Sequence, residues 1–220
     1  MSERAIYAIY GASGFGREVM PIARAQLQRQ GISSEQLVFI DDNPQAKRVN
    51  NQRVLRYAEF LDSAAEERHV ALAIANSAIR EKLVQQCSQD AIQPWTVQAG
   101  NVVVMDEVQI GEGALLCPFV TLTSNIIIGR YFHANIYSYV AHDCIIGDYV
   151  TFAPNVHCNG NIVIEDHAYI GTGAIIKQGA PGHPLVIGHH AVVGMGAVVT
   201  RDVPPETTVI GNPARPMQRG

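Results

Sequence analysis

The stretch that decides the fold runs from Val108 to Gly147 and reads VQIGEGALLCPFVTLTSNIIIGRYFHANIYSYVAHDCIIG. Within it an apolar residue returns at every sixth position, and Ile-Gly pairs begin at residues 110, 128 and 146, which are 18 apart. A period of six fits neither an α-helix nor a simple hairpin ladder. It is satisfied by a solenoid in which three hexapeptides form one triangular coil, with a short strand on each side and the apolar anchors inside. The stretch therefore predicts a parallel β-helix.

The same pattern extends along the C-terminal half of the chain. All thirteen anchors are apolar: Val104, Ile110, Leu116, Leu122, Ile128, Ala134, Val140, Ile146, Phe152, Cys158, Ile164, Ile170 and Ile176. The phase slips once, across GAPGHPLV, and resumes at Ile187, Val193 and Val199. This slip is either a loop that absorbs a register change or a wall of a ligand site. We expect Pro204 and Pro205 to end the solenoid and residues 211–217, GNPARPM, to cap its last coil.

The first part of the chain has the pattern of a small α/β unit. The predicted elements are a strand over Ala5–Tyr10, a helix over Arg17–Gln30, strands over Leu37–Ile40 and His69–Ala75, and a helix with Ser77 as its N-cap. This order favours a parallel sheet that binds ligands at the carboxyl ends of its strands. We therefore expect an α/β, Rossmann-like domain over residues 1–98 and an all-β solenoid domain over residues 99–220.

Composition excludes several classes of function. The 220 residues carry a formal net charge of −4 without a basic run, which argues against nucleic acid as a partner. Neither a signal peptide nor an apolar run of membrane-spanning length is present in the sequence, so a cytoplasmic location without membrane attachment is expected. The four cysteines form no CxxC pair, which predicts reduced thiols and no bound metal.

Two polar features follow the first two predicted strands. Gly11, Gly14 and Gly16 form a GxxGxG turn, which either binds phosphate at the start of a helix or is only a tight turn. Asp41 and Asp42 follow the second strand and either meet a polar ligand group or form a solvated turn.

Several motifs together resemble a known family, the bacterial NeuD/PglD-type sugar acyltransferases. They are YGASGFG (10–16), FIDD (39–42), AIANSAIR (73–80), VAHDCIIGD (140–148) and GNPARPM, attached to the hexapeptide array. The resemblance covers nearly the whole chain. It implies a left-handed β-helix, a homotrimer with acetyl-CoA between neighbouring β-helices, and a nucleotide-sugar held by the N-terminal domain.

The resemblance also implies roles for individual residues. The residues implied for nucleotide-sugar binding are Ser13, Gly14, Phe15, Asp41, Asp42, Asn76 and Arg80. Those implied for acetyl-CoA are Thr151, Thr172 and Met195, and Asn135 is implied to lie near the acceptor.

His142 is the candidate general base, and the resemblance makes Asp143 the group that raises its basicity. Acyl transfer to a sugar needs a base at the attacking atom and donors for the developing oxyanion. His142 lies two residues after the inward anchor Val140, on an outward position, and Gly160 follows one coil later. We expect Gly160 to leave room for a thioester and to offer its N–H to the carbonyl oxygen. Neighbours in an extended strand face opposite sides, so pairing of Asp143 with the ring is not assured.

These features predict an acetyl-CoA-dependent N-acetyltransferase that acts on a UDP- or dTDP-linked 4-amino-4,6-dideoxyhexose for surface glycan or glycoprotein biosynthesis. Two alternatives remain open: O-acetylation of a sialic-acid-like sugar, and a non-catalytic nucleotide-sugar-binding module. A γ-type carbonic anhydrase, which shares the solenoid, needs an H-x4-H pair, and no two histidines are five positions apart.

Overall fold

The computed structural model describes residues 5–217, which divide after Gly100 into two compact units. This division lies two residues beyond the boundary expected from the sequence. Each unit is built from its own kind of sheet.

The first unit is an α/β domain. Its strands are β1 (Ala5–Tyr10), β2 (Leu37–Ile40), β3 (Arg48–Val49), β4 (Gln52–Leu55), β5 (Glu67–Leu72) and β6 (Gln93–Pro94). Its helices are α1 (Gly14–Arg29), α2 (Tyr57–Leu61) and α3 (Ser77–Gln89), with a 3-10 turn over Ser34–Gln36. The sheet order is β3-β4-β2-β1-β5-β6, and only the β3–β4 pair is antiparallel. The carboxyl ends of β1, β2, β4 and β5 therefore meet at one edge.

The boundaries of β1 and β2 agree with the sequence prediction, but β5 runs from Glu67 to Leu72 instead of His69 to Ala75. The strand stops early because the guanidinium of Arg80 donates to the carbonyls of Ile74, at 2.7 Å, and Ala75, at 3.4 Å. These two carbonyls are thus directed to a side chain and not to a neighbouring strand.

Both long helices begin at a different residue than predicted. Helix α1 starts at Gly14, three residues before Arg17, so the glycine turn forms its first turn. The N-cap of α3 is Asn76 and not Ser77, because the Asn76 side chain accepts a hydrogen bond from the Ile79 N–H at 3.0 Å.

The β3–β4 hairpin and helix α2 were not predicted. The hairpin turns at Asn50 and Asn51, with φ of 47° and 63°. Asparagine tolerates this left-handed conformation, which two-residue hairpin turns require.

The second unit is a parallel β-helix of triangular cross-section. Face 1 begins with β7 (Val97–Gln98), which precedes the division after Gly100, and continues with β10 (Leu115–Leu116), β13 (His133–Ala134), β16 (Thr151–Phe152), β19 (Tyr169–Ile170), β22 (Val192–Val193), β24 (Thr208–Ile210) and β25 (Arg215–Pro216). Face 2 contains β8 (Val103–Val104), β11 (Thr121–Leu122), β14 (Tyr139–Val140), β17 (His157–Cys158), β20 (Ile175–Ile176) and β23 (Val198–Val199). Face 3 contains β9 (Val108–Ile110), β12 (Ile126–Ile128), β15 (Cys144–Ile146), β18 (Ile162–Ile164) and β21 (Leu185–Ile187).

The register follows the predicted 18-residue coil. Val140, for example, pairs with Leu122 on one side and with Cys158 on the other. The anchors from Leu116 onward are buried, whereas Val104 in the first coil is 40% exposed. The difference arises because a terminal coil is covered by a neighbouring coil on one side only.

In the regular coils from Glu107 to Gly173, every corner contains a residue with positive φ. The non-glycine members at six-residue spacing are Glu107, Phe119, Asn125, Tyr131, Tyr137, Asp143, Tyr149, Asn155, Asn161 and His167. A single left-handed residue turns the chain sharply between two short strands. The repeat therefore fixes backbone conformation at the corners as well as burial at the anchors.

The solenoid continues beyond the point where the prolines were expected to end it. Strand β24 follows Pro204 and Pro205, pairs in parallel with β22, and buries Val209. The prolines are tolerated because they lie between strands, where no ladder N–H is needed. Strand β25 then pairs antiparallel with β24, so residues 215–216 close this end.

Candidate functional site

His142 lies at the corner between faces 2 and 3, in the turn from β14 to β15. We call the column formed by Ser124, His142, Gly160, Gln178 and Arg201, which hold equivalent places in successive coils, the His142 corner. The His142 side chain is 48% exposed, while its carbonyl accepts the Asn161 N–H at 3.0 Å. The backbone is thus fixed and the ring is open to a ligand.

Asp143 pairs directly with His142, with 2.7 Å between Oδ2 and Nδ1. Strand alternation had left this pairing open, and the structure shows that the two side chains meet. Asp143 has φ 58°, a left-handed corner conformation, so the two residues do not follow strand alternation. A carboxylate only accepts, so Nδ1 carries the proton and Nε2 is left as the acceptor.

Asn125 lies one coil before Asp143 at the same corner. Its Nδ2 is 3.4 Å from Oδ1 of Asp143, the oxygen that does not face the ring, and the Asp143 N–H donates to the Ser124 carbonyl at 3.1 Å. Sequence reasoning missed Asn125, although its separation of 18 residues from Asp143 was a readable signal.

Gly160 lies directly beneath the imidazole. A Cβ built on it would lie 2.5 Å from Cε1 and 2.6 Å from Nε2 of His142. The expectation that this space is open to a thioester therefore needs correction, because the imidazole itself fills it. Glycine at this place is what lets the ring lie against the next coil.

Two buried cysteines, Cys144 and Cys158, lie inside the prism behind the His142 corner. Sγ of Cys144 lies 3.5 Å from the His142 carbonyl and 3.2 Å from the Asn159 carbonyl. The hydrogen bond with Cys144, together with burial, raises the pKa of Cys158 well above its usual value. Cys158 therefore stays a neutral thiol in the core. All four cysteines are free.

The other residues implied for the acyl site do not lie at the His142 corner. Asn135, Thr172 and Met195 follow strands of face 1 and lie at the corner between faces 1 and 2, where Met195 is 82% exposed. Thr151 is buried on face 1. One chain thus places these four residues away from His142.

His157 belongs to face 2, where its ring packs against Tyr139 with 5.1 Å between centroids. Its Nε2 lies 3.1 Å from Oδ1 of Asn155. These contacts give His157 a packing role.

The glycine turn of the first unit has two distinct parts. A Cβ on Gly16 would lie 1.8 Å from the Gly11 carbonyl oxygen, and Gly11 has φ 109°. These two glycines are required by the turn itself. In contrast, a Cβ built on Gly14 would have no atom of residues 5–217 within 4 Å other than those of its chain neighbours and the backbone of its own helix. Gly14 and the exposed Ser13 are therefore open to a ligand at the N-terminus of α1.

Asp41 and Asp42 follow β2 at the same carboxyl edge. Asp41 is held by its N–H bond to the Leu55 carbonyl at 3.0 Å, and its Oδ1 accepts the Asn43 N–H at 2.9 Å. Both carboxylate oxygens of Asp42 lie 2.9 Å from the Tyr10 hydroxyl. Burial, followed by this hydrogen bond, raises the pKa of Tyr10 well above its usual value, so the hydroxyl remains a donor. Sequence reasoning missed Tyr10, which reads as an ordinary strand residue.

The remaining residues implied for the nucleotide-sugar differ in exposure. Asn76 is exposed at the start of α3 and Phe15 is half-buried at the start of α1. Arg80 is fully buried, and its guanidinium donates hydrogen bonds to the carbonyls of residues 74 and 75. Arg80 therefore fixes the backbone of this loop.

Within residues 5–217, no group of three or more His, Cys, Asp or Glu side chains is placed to hold a metal ion. Over the same residues, none of the helices is both long and apolar enough to span a membrane.

Comparison with known proteins decides the family. Residues 7–87 match the PglD N-terminal domain. Over 214 residues the chain is 51% identical to a GDP-perosamine N-acetyltransferase of Escherichia coli O157:H7, with 97% of each chain covered. The chain belongs to the NeuD/PglD-type sugar acyltransferase family.

Two solved structures have the same architecture as this chain. WeeI from Acinetobacter baumannii AYE is 60% identical, with a TM-score of 0.94 over 97% of this chain and 100% of WeeI. The acetyltransferase domain of PglB from Neisseria gonorrhoeae FA1090, in complex with acetyl coenzyme A, is 28% identical, with a TM-score of 0.85 over 97% of this chain and 99% of that domain. The predicted fold class, a Rossmann-like α/β domain followed by a left-handed β-helix, is confirmed.

Proposed function

We propose that this protein transfers an acetyl group from acetyl-CoA to the amino group of a nucleotide-linked sugar. The observation that carries the proposal is the His142–Asp143 pair, whose ring lies over Gly160 at an exposed corner of the β-helix. The 51% identity to an N-acetyltransferase of a nucleotide-linked amino sugar supports it.

His142 acts as the general base. An ammonium group must lose a proton before its nitrogen can attack, and Nε2 is the imidazole atom free to take it. Asp143 fixes the tautomer and stabilises the imidazolium that forms, and Asn125 orients Asp143. Acetyl-CoA, when bound, supplies the acetyl group as a thioester. We assign to the Gly160 amide the stabilisation of the acyl oxygen.

The α/β unit holds the nucleotide-sugar at the carboxyl edge of its sheet. The open N-terminus of α1 at Ser13 and Gly14 suits phosphate groups, since the helix dipole and free N–H groups favour anions. Asp41, Asp42 and Asn76 present polar groups at the same edge for the nucleoside or the sugar.

We infer the identity of the nucleotide from the relative that is 51% identical. The sequence motifs favoured a UDP- or dTDP-linked sugar, whereas the relative that is 51% identical is named for GDP-perosamine. We therefore take GDP-perosamine as the first substrate to test.

We place the complete acyl site between two chains of a homotrimer. His142 and Gly160 lie at one corner of the prism, while Asn135, Thr172 and Met195 lie at another. In a three-fold assembly one chain's His142 corner can face the neighbour's other corner, which would unite both sets. The four free cysteines agree with a reducing cytoplasm, where we place the reaction, as a step of surface glycan biosynthesis.

A thiol-release assay with acetyl-CoA tests the activity. The panel contains GDP-perosamine, UDP- and dTDP-linked 4-amino sugars, and a sialic-acid-like hydroxyl acceptor. We expect turnover with an amino sugar and the highest kcat/KM with the GDP-linked one. Turnover with the hydroxyl acceptor alone, or with none, would overturn the proposal.

A further inference from the structure

Beyond Gly160 the His142 corner opens into a cleft. It has a volume of about 770 Å³, and its lining includes Lys177, Arg201 and every residue of the inserted segment 178–184 except Pro181. The insertion is tied to the site described above, since the Gly179 N–H donates to the Gly160 carbonyl at 3.0 Å and the Leu185 N–H to the Asn161 carbonyl at 3.1 Å. The phase slip in the hexapeptide pattern thus builds a wall of this cleft.

Positive charge on the β-helix is concentrated in the cleft. Residues 101–217 contain nine Asp and Glu but only four Lys and Arg. Arg130 pairs with Asp148 at 2.8 Å, and Arg215 lies in the terminal strand β25. The remaining two cations, Lys177 and Arg201, are exposed and both line the cleft.

One carboxylate, Asp202, also lines the cleft. Its Oδ1 accepts the Val186 N–H at 2.9 Å, so it is engaged in holding the far end of the inserted segment. A cleft with two cations and one bonded carboxylate favours an anion with more than one charge.

The distance from His142 to this charge is set by the coil spacing. The anchors of the column pair in register from Val140 through Cys158 and Ile176 to Val199. Arg201 therefore lies three coils from His142, or about 14 Å at the usual strand separation. The pantetheine arm of CoA, as long as about four extended residues, spans a similar distance.

From these observations we infer that Lys177 and Arg201 bind the phosphate groups of CoA while its thiol end lies at His142. The inference rests on the proposed function and deepens it. Arg binds phosphate through a planar fork of N–H donors and Lys as a point charge, so the two together suit a polyanion. Because the cleft is open, this attraction should weaken as salt is added.

Equilibrium binding measured by calorimetry tests the inference without relying on turnover. Wild type, Lys177→Met, Arg201→Met and the double variant are titrated with CoA, with dephospho-CoA, which lacks the 3′-phosphate, and with pantetheine, which lacks every phosphate. Arg215→Met, an exposed Arg of the same unit outside the cleft, is the matched control.

We expect each single cleft variant to raise the Kd of CoA by roughly 3- to 30-fold and the control to leave it unchanged. Binding of pantetheine should be equal in all proteins, because it carries no charge for the cleft to recognise. If the variants lose affinity for CoA but not for dephospho-CoA, Lys177 and Arg201 bind the 3′-phosphate. If they lose affinity for both ligands, Lys177 and Arg201 bind the diphosphate. Either result supports the inference.

Cleft variants that bind CoA as wild type does, or that lose pantetheine to the same extent as CoA, would overturn the inference. Failure of the proposed function gives a different result, since wild type itself would then bind none of the three ligands.

Discussion

Nδ1 of His142 lies 2.7 Å from Oδ2 of Asp143, although the two residues are adjacent in a chain built of short strands. The contact exists because Asp143 is the left-handed residue of its corner, with φ 58°. The hexapeptide repeat therefore supplies the turn that brings together the pair proposed to be catalytic. The same repeat therefore determines the regular coil and places the two side chains in contact.

Replacing Asp143 tests the value of this contact. We expect Asp143→Asn to lower kcat by about tenfold, less than loss of the base itself, because the amide orients the ring without stabilising the imidazolium. Glu107→Gln, two coils away at the same corner position, is the control and should leave kcat unchanged. An unaltered kcat for Asp143→Asn would show that the carboxylate has no part in the reaction.

Substitutions of Gly160 test how closely the His142 imidazole must lie against the next coil. The added methyl of Gly160→Ala would lie 2.5 Å from Cε1, so the ring must move. We expect kcat to fall by up to roughly 100-fold, as misplacement of a reacting group does, and Gly160→Val to fall further. Thermal unfolding should stay near wild type because the displaced group is an exposed side chain. Normal kcat in both variants would contradict the proposed geometry.

Substitutions of Gly14 and Gly16 distinguish a role in ligand binding from a role in forming the turn. Gly16→Ala forces a methyl against the Gly11 carbonyl, and we expect a loss of about 1–3 kcal/mol in the free energy of unfolding. Gly14→Ala has free space and lies in a helix, so stability should rise by up to about 1 kcal/mol. If Gly14 faces the nucleotide-sugar, the same change should weaken nucleotide binding measured by calorimetry. Undiminished binding by Gly14→Ala would leave this glycine with no ligand role.

Mixed trimers test the shared site. We expect His142→Ala and Thr172→Arg each to be inactive alone, because they damage the two opposed corners. When the two are co-expressed, roughly a quarter of the sites would combine an intact His142 corner from one chain with an intact Thr172 corner from another. Recovery of that share of activity, together with a trimer by light scattering, is the expected result. A monomer with full activity, or mixtures as inactive as the parents, would argue for a site within one chain.

The sequence predicted the solenoid well because a six-residue apolar period has one simple structural solution. Val140 and Cys158 are in the predicted register for this reason. The conformation of Asp143 was missed, yet it belongs to a six-residue series with Asn125, Asn155 and Asn161, and asparagine and aspartate tolerate left-handed φ. That series is a signal that could have predicted the pair.

The parts that were missed depend on contacts that local patterns do not encode. Arg80 has the pattern of an ordinary polar residue of an amphipathic helix, but it is buried because two loop carbonyls need donors. Strand β24 was missed because its prolines suggest a stop, whereas they lie between strands. His142 and Thr172 are separated because the order of the faces places them at different corners. The six-residue period alone does not indicate which corners form a site.

The proposed role of His142 as the general base is tested by kcat of His142→Ala at neutral pH with saturating acetyl-CoA and amino-sugar nucleotide. Calorimetry on the same variant should show nearly unchanged affinity for CoA and for the nucleotide. We expect a loss in kcat of roughly 10²- to 10⁴-fold, the usual contribution of a positioned base. Retention of more than about a tenth of wild-type kcat would contradict it, since so small a loss is below that range.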